Sequence, residues 1–216
     1  MAETRVLRHA RIDRLLHWLM AVAVLVLLAT GFLPALGLKF DWVVAHWVAG
    51  VALIGVFLVH LGRVAWRRSA AQMLVRGRDF GALRGARDAA GVPLRPGKYT
   101  LAQKAMHNVV AVAALVAMVS GALLLRKIDL PIWRRDPYWL EAATWGRIYV
   151  LHDLAALGFV SLVVLHVYFA LRPEKRAYLR AMLSGWMSEA DYRAGHDPAA
   201  WQPERVAGSG HGDDGR

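Results

Sequence analysis

The stretch that decides the fold runs from Ile148 to Leu171, IYVLHDLAALGFVSLVVLHVYFAL. It holds one acid, Asp153, and two histidines, His152 and His166, and carries no lysine or arginine. A run of about 20 such residues is what a helix needs to cross a hydrocarbon core about 30 Å thick. The two histidines are 14 positions apart, which at about 100° per residue is only about 40° short of four full turns. Both therefore lie on one helix face, roughly 21 Å apart along the axis. The same spacing recurs between His46 and His60 in a second apolar run.

Four blocks are long and apolar enough to span a bilayer, over about residues 15–36, 42–65, 104–125 and 148–171. In lipid only helices and closed barrels satisfy the backbone internally, and the alternation of barrel strands is missing. The fold class predicted is an all-α integral membrane protein, a bundle of four transmembrane helices occupying residues 1–184. Residues 185–216 are expected to form a tail, disordered at its glycine-rich end, Gly208–Arg216. The first block is preceded by arginines but is long and carries His17, so it reads as a span and not as a removable leader.

The formal net charge is +11, which could suggest nucleic acid, but the distribution of the 27 basic residues excludes that reading. All but Lys39, Arg126, Lys127, Arg134, Arg135 and Arg147 precede the first span, lie between Arg63 and Lys104, or follow the fourth. The positive-inside rule then places both termini and the middle loop in the cytoplasm of a bacterial cell, with the chain in its inner membrane. Residues 1–14 read as a basic helical lead-in, and the segment from Pro173 to Tyr192 as one lying on the membrane face. There is no cysteine, so a Cys-ligated iron–sulfur cluster, a thioether-attached haem or a disulfide cannot belong to this chain.

Ionisable groups inside a membrane are costly and mark functional interiors. A lone buried histidine is most often a hydrogen-bonded structural group. Paired spacing at matched depth is different, and a neutral imidazole is a good axial ligand for haem iron. His46 and His152 lie near the outer surface and form a natural pair. At the inner level His166 has two rivals for a partner, His17 and His60, and His107 lies nearby. Arg14, Arg63 and Lys104 sit at the inner boundary, where haem propionates could pair with them. Ser120 and Ser161 read as helix-packing residues, and His9, His196 and His211 lie outside the spans with no role assigned. No nucleophile–base set, phosphate loop or metalloprotease motif occurs.

Several motifs resemble the cytochrome b (gamma) subunit of membrane-bound formate dehydrogenases. They are Arg11-Ile12-Asp13-Arg14-Leu15-Leu16-His17-Trp18, His46 with Gly50, and Gly97-Lys98-Tyr99-Thr100-Leu101-Ala102-Gln103-Lys104. His152, His166 and the tail from Met182-Leu183-Ser184-Gly185 to His196-Asp197-Pro198 fit as well. The resemblance implies a di-haem b protein that takes electrons from an iron–sulfur partner subunit, itself fed by a catalytic dehydrogenase subunit, and reduces menaquinone or ubiquinone. It implies His46 and His152 as ligands of the outer haem, and His17 and His166 as ligands of the inner one. It also implies Thr100, Ala102 and Gln103 as a loop at the quinone, with Thr100 standing where the family usually has Asn. His60 has no ligand counterpart in that pattern. The cytochrome b subunit of a nickel–iron hydrogenase or thiosulfate-reductase-like complex, a stand-alone b561-type cytochrome and a haem-free membrane anchor share the architecture.

Overall fold

The computed structural model describes residues 4–88 and 91–206; the Gly208–Arg216 stretch and His211 lie outside them. In chain order the elements are β1 (Arg5–Leu7), α1 (Arg11–Phe32), α2 (Trp42–Trp66), α3 (Gly77–Leu83), α4 (Leu101–Leu124) and α5 (Ala142–Leu171). They are followed by α6 (Arg176–Ser184), β2 (Trp186–Ser188), α7 (Glu189–Gly195) and β3 (Arg205–Val206). Four helical stretches, Arg11–Phe32, Trp42–Trp66, Leu101–Lys127 and Ala142–Leu171, are long and apolar enough to cross a membrane. In their most apolar windows only 6–17% of residues are buried within protein. Side chains such as Val22, Leu58, Val112 and Val164 stay more than half exposed, so these helices need lipid to cover them. The chain is a multi-pass, four-helix membrane bundle.

Each long helix ends where its chemistry changes. The chain leaves α1 at Pro34, which cannot continue the hydrogen-bond ladder, and turns through Gly37 at φ 91°. α4 begins at a reciprocal capping box. The Thr100 N–H donates to Gln103 Oε1 at 3.0 Å, and the Gln103 N–H donates to Thr100 Oγ1 at 3.3 Å. α5 starts at Ala142, ahead of the apolar run, because Trp145 is buried and donates its indole N–H to Pro137 O at 2.8 Å. Arg126 lies over Trp133 and Trp139, and Lys127 over Trp145 and Tyr149, so aromatic residues of the 128–141 loop and of the start of α5 stack on the two cations that follow α4.

Contacts divide the chain into two units. One joins residues 1–15, 69–105 and 167–216; the other joins residues 16–68 and 106–166. The first collects the three basic segments that charge asymmetry places on one side of the membrane. Its sheet has the order β2-β1-β3, all antiparallel, with Val6 opposite Met187 and Arg205. The lead-in expected as helix is thus a strand at residues 5–7, because Val6 is fully buried against Ala181, Met187 and Tyr192. α6 turns Ala177, Tyr178 and Ala181 into that same core, while its Leu183 stays exposed.

Gly185 closes α6 in the left-handed region, at φ 95°. Its carbonyl accepts from the N–H groups of Arg8 and His9 at 2.9 and 3.1 Å, and an added Cβ would lie 2.9 Å from His9 O. Arg14 packs beside it and donates to Leu183 O at the end of the same helix. Gly185→Ala should therefore destabilise this unit by at least the 1–2 kcal/mol that a left-handed conformation costs roughly per residue. Thermal unfolding in detergent measures it, and an unchanged midpoint would contradict the assignment.

At the centre of this unit lies a polar core around His196, which has no exposed surface. His196 Nδ1 donates to Gly97 O at 2.6 Å, which leaves Nε2 to accept from Arg8 Nη1 at 3.1 Å. Arg8 also donates to Lys98 O at 2.7 Å, and its guanidinium lies over the rings of Tyr178, Trp201 and Tyr99 at 4.7, 5.3 and 5.6 Å. Burial pushes the His196 imidazole down to about 4, with the Arg8 charge adding to that effect and the Gly97 carbonyl opposing it. His196, left without a role on sequence grounds, pins the Gly97-Lys98-Tyr99 loop to the N-terminal segment.

Candidate functional site

The second unit holds the spanning histidines. His46 stands in the second turn of α2 and His152 in the third turn of α5, and their ring centres are 6.2 Å apart. His17, on α1, and His166, on α5, are also 6.2 Å apart. Each separation exceeds a direct imidazole–imidazole hydrogen bond, for which N···N near 3 Å brings ring centres to roughly 5 Å. It matches two imidazoles binding one metal from opposite sides, where each contributes a bond of about 2 Å plus about 1 Å from nitrogen to ring centre. Among the described residues no group of three or more His, Cys, Asp or Glu side chains gathers. Two imidazoles alone do not complete a structural metal site, whereas a porphyrin supplies the rest of an iron's coordination. The donor set therefore fits haem at both levels.

His17 and His60 were rivals by depth, and the geometry separates them. The His17 ring faces His166, with Trp18 edge-on beside it at 5.3 Å, whereas His60 lies near enough to His107 to interact with it electrostatically. Helix rotation decides this, and depth alone does not carry it.

The outer pair is built more completely than the spacing suggested. Thr30 Oγ1 on α1 lies 2.8 Å from His46 Nδ1, and Ser120 Oγ on α4 lies 2.9 Å from His152 Nδ1. Thr30 was not singled out from sequence, and Ser120 does more than pack. Each hydroxyl is followed by a glycine against the same ring. A Cβ on Gly31 would meet His46 Cε1 at 3.7 Å, and one on Gly121 would meet His152 Cε1 at 3.1 Å. Alanine inside a helix gains up to about 1 kcal/mol over glycine, so Gly31→Ala should be neutral or stabilising. Gly121→Ala must push the His152 ring by a few tenths of an ångström and should perturb the spectrum of a haem held by that pair. Equal, unperturbed spectra in both variants would contradict this.

The residues at the start of α4 are engaged within the first unit. Thr100 and Gln103 are each other's capping partners, with Ala102 between them in the first turn of α4. Lys104 is not free for a propionate. Its Nζ donates to Asp79 Oδ1 and Oδ2 at 2.9 and 2.8 Å and to Leu74 O at 3.1 Å, so all three donors are satisfied. Lys104 is 8% and Asp79 7% exposed. Burial pushes the Asp79 carboxyl up, but hydrogen bonds from Lys104 and the Arg76 amide, with both positive charges, hold it below its ordinary value. Splitting such a buried pair is costly because the survivor is left as an uncompensated charge.

Two imidazole pairs in an apolar helical bundle are the arrangement of a membrane cytochrome b. A search of curated proteins returns none that matches this chain. A family model described as prokaryotic cytochrome b561 matches residues 8–185, which include every spanning histidine and the loop from Gly97 to Lys104. The chain belongs to the prokaryotic cytochrome b561 family, whose members are membrane cytochromes that bind haem b.

Proposed function

We propose that this protein is the cytochrome b subunit of a respiratory, formate dehydrogenase-like complex in a bacterial inner membrane. It would carry electrons through two b-type haems from an iron–sulfur partner subunit to menaquinone or ubiquinone. The observation that carries the reading is the pair of imidazole pairs, each 6.2 Å between ring centres, on the four spanning helices. His46 and His152 would hold the outer haem, and His17 and His166 the inner one. When bound, such a group accepts and gives up one electron at a time without moving atoms, and the protein tunes it through its ligands and their surroundings.

The chain's own residues do the positioning. The apolar helices keep water from the imidazole pairs, and the two hydroxyls orient the outer rings. Thr100 retains its O–H, and Gln103 its amide N–H, as donors that capping does not use; with Ala102 they are the proposed quinone contacts. The absence of cysteine requires the iron–sulfur centre to come from a partner chain, and dehydrogenation belongs to a further catalytic subunit. The basic segments gathered in one unit support a cytoplasmic location for both termini.

The family match favours a second reading, a stand-alone b561-type cytochrome without partner subunits. Adding formate to membranes that hold the protein, and following its haem absorbance, separates the two. Formate-dependent haem reduction, with an iron–sulfur subunit co-purifying, is expected. Haems reduced by quinol or hydrogen but never by formate, in a chain that purifies alone, would overturn the proposal.

A further inference from the structure

Thr30 and Ser120 perform the same task on two different helix pairs. Each hydroxyl has a single proton, and each directs it to the carbonyl four residues back: Thr30 to Val26 O and Ser120 to Val116 O, both at 2.7 Å. A hydroxyl whose proton is so used can only accept at its remaining lone pairs. The bonds to His46 Nδ1 and His152 Nδ1 are therefore donated by the imidazoles, and the Ala117 carbonyl is a further acceptor beside the His152 ring. Both rings carry the proton on Nδ1 and a lone pair on Nε2.

Back-bonding of Ser and Thr to a helix carbonyl is a common packing device, and by itself it implies nothing. Here it occurs twice, each time with the second contact spent on an outer histidine and with a glycine next in sequence to let that ring approach. The inner pair differs. Among the described residues, no side-chain hydroxyl bonds to His17 or His166. An imidazole that donates from its far nitrogen is a more basic ligand, and an acceptor polarised by its own bond to a carbonyl strengthens the effect. A more basic ligand favours the oxidised metal.

We propose that Thr30 and Ser120 are positioning residues that hold His46 and His152 in the Nδ1–H form and thereby set the outer haem's reduction potential below that of the inner haem. This rests on the reading of the two histidine pairs as haem ligands. It gives the molecule a built-in direction, because electrons entering at the outer haem move towards the inner one.

The test is a redox titration of the purified, haem-loaded chain, read by absorbance and by low-temperature EPR. The proteins compared are the wild type, Thr30→Val, Ser120→Ala, the double variant and Thr30→Ser. Each single loss should raise the lower-potential component by on the order of tenfold in its one-electron equilibrium, about 59 mV. The double variant should raise it further, with the higher-potential component unmoved and Thr30→Ser behaving as wild type. Should the larger changes prevent folding, Ser120→Cys keeps the size with a much weaker acceptor and should give a smaller rise in the same component. Components that do not move, or that move together, at full haem content would overturn the proposal. So would a lower haem content with an unaltered potential in the haem that remains, which is what a purely structural role predicts. A wild-type protein without haem would instead defeat the underlying assignment of the histidines, so the two failures are distinguishable.

Discussion

His17→Ala should halve the haem content of the protein, whereas His60→Ala should leave it intact. The two histidines stand at the same depth in apolar helices, and the difference lies in what each faces. The His17 ring centre is 6.2 Å from that of His166, the spacing of two ligands on one metal, whereas His60 interacts with His107. Alanine at 17 would leave His166 as the one imidazole of the pair, and a haem that the two would hold together would be lost. His152→Ala should act the same way on the outer haem. Its neighbours Ser120 and Gly121 are shaped to that imidazole, and the other ring beside His46, Trp42 at 6.1 Å, is an indole whose nitrogen carries a proton and has no lone pair to offer a metal. In each case one of the two components in a reductive titration should disappear while the other keeps its potential. A loss in His60→Ala with none in His17→Ala would reverse the inner assignment.

Acidification should dissolve the unit that joins β1 to α6, β2, α7 and β3, over the window between the ordinary histidine value and about pH 4. His196 is held near 4 when folded, against 6.5 as its reference value. The unfolded chain therefore binds this proton first, and the stabilisation is complete above pH 6.5. It declines as pH falls and is fully lost below about 4. The depression is worth about 3 kcal/mol. Protonation would convert Nε2 from the acceptor of the Arg8 N–H into a donor facing a cation. Protease cutting of the 91–100 loop, which His196 and Arg8 hold through the carbonyls of Gly97 and Lys98, should rise across this window. In His196→Gln, which can still accept from Arg8 and donate to Gly97, the rise should vanish. Equal pH profiles in the two proteins would contradict the role given to His196.

The four spans were legible because each is a long apolar run with basic residues outside it, and their ends were not. α5 begins at Ala142 because Trp145 anchors to Pro137 O, a contact that hydropathy does not register. The start of α4 was readable in principle, since Thr100 and Gln103 have the spacing of a capping box. Depth and period identified the outer histidine pair but left His17 against His60 open, since helix rotation depends on packing among all four spans. Thr30 and Ser120 had a signal that depth arguments can use. Thr30 and His46 are equidistant from Leu38 in the first outer turn, and Ser120 and His152 are equidistant from Asp136 in the second. In an antiparallel helical hairpin such residues stand level with each other. The N-terminal strand had no such signal. It is three residues long, and its partners are Trp186–Ser188 and Arg205–Val206, nearly the whole chain away. His196 was passed over for the same reason, because Arg8 and Gly97 come to it only through that pairing.

If each imidazole pair binds a haem, the purified protein carries two. A pyridine haemochrome assay on the purified protein, with protein quantified by amino-acid analysis, counts them. Two haems b per chain are expected; a preparation from haem-competent membranes that holds none, or only one, would overturn the assignment of the two histidine pairs.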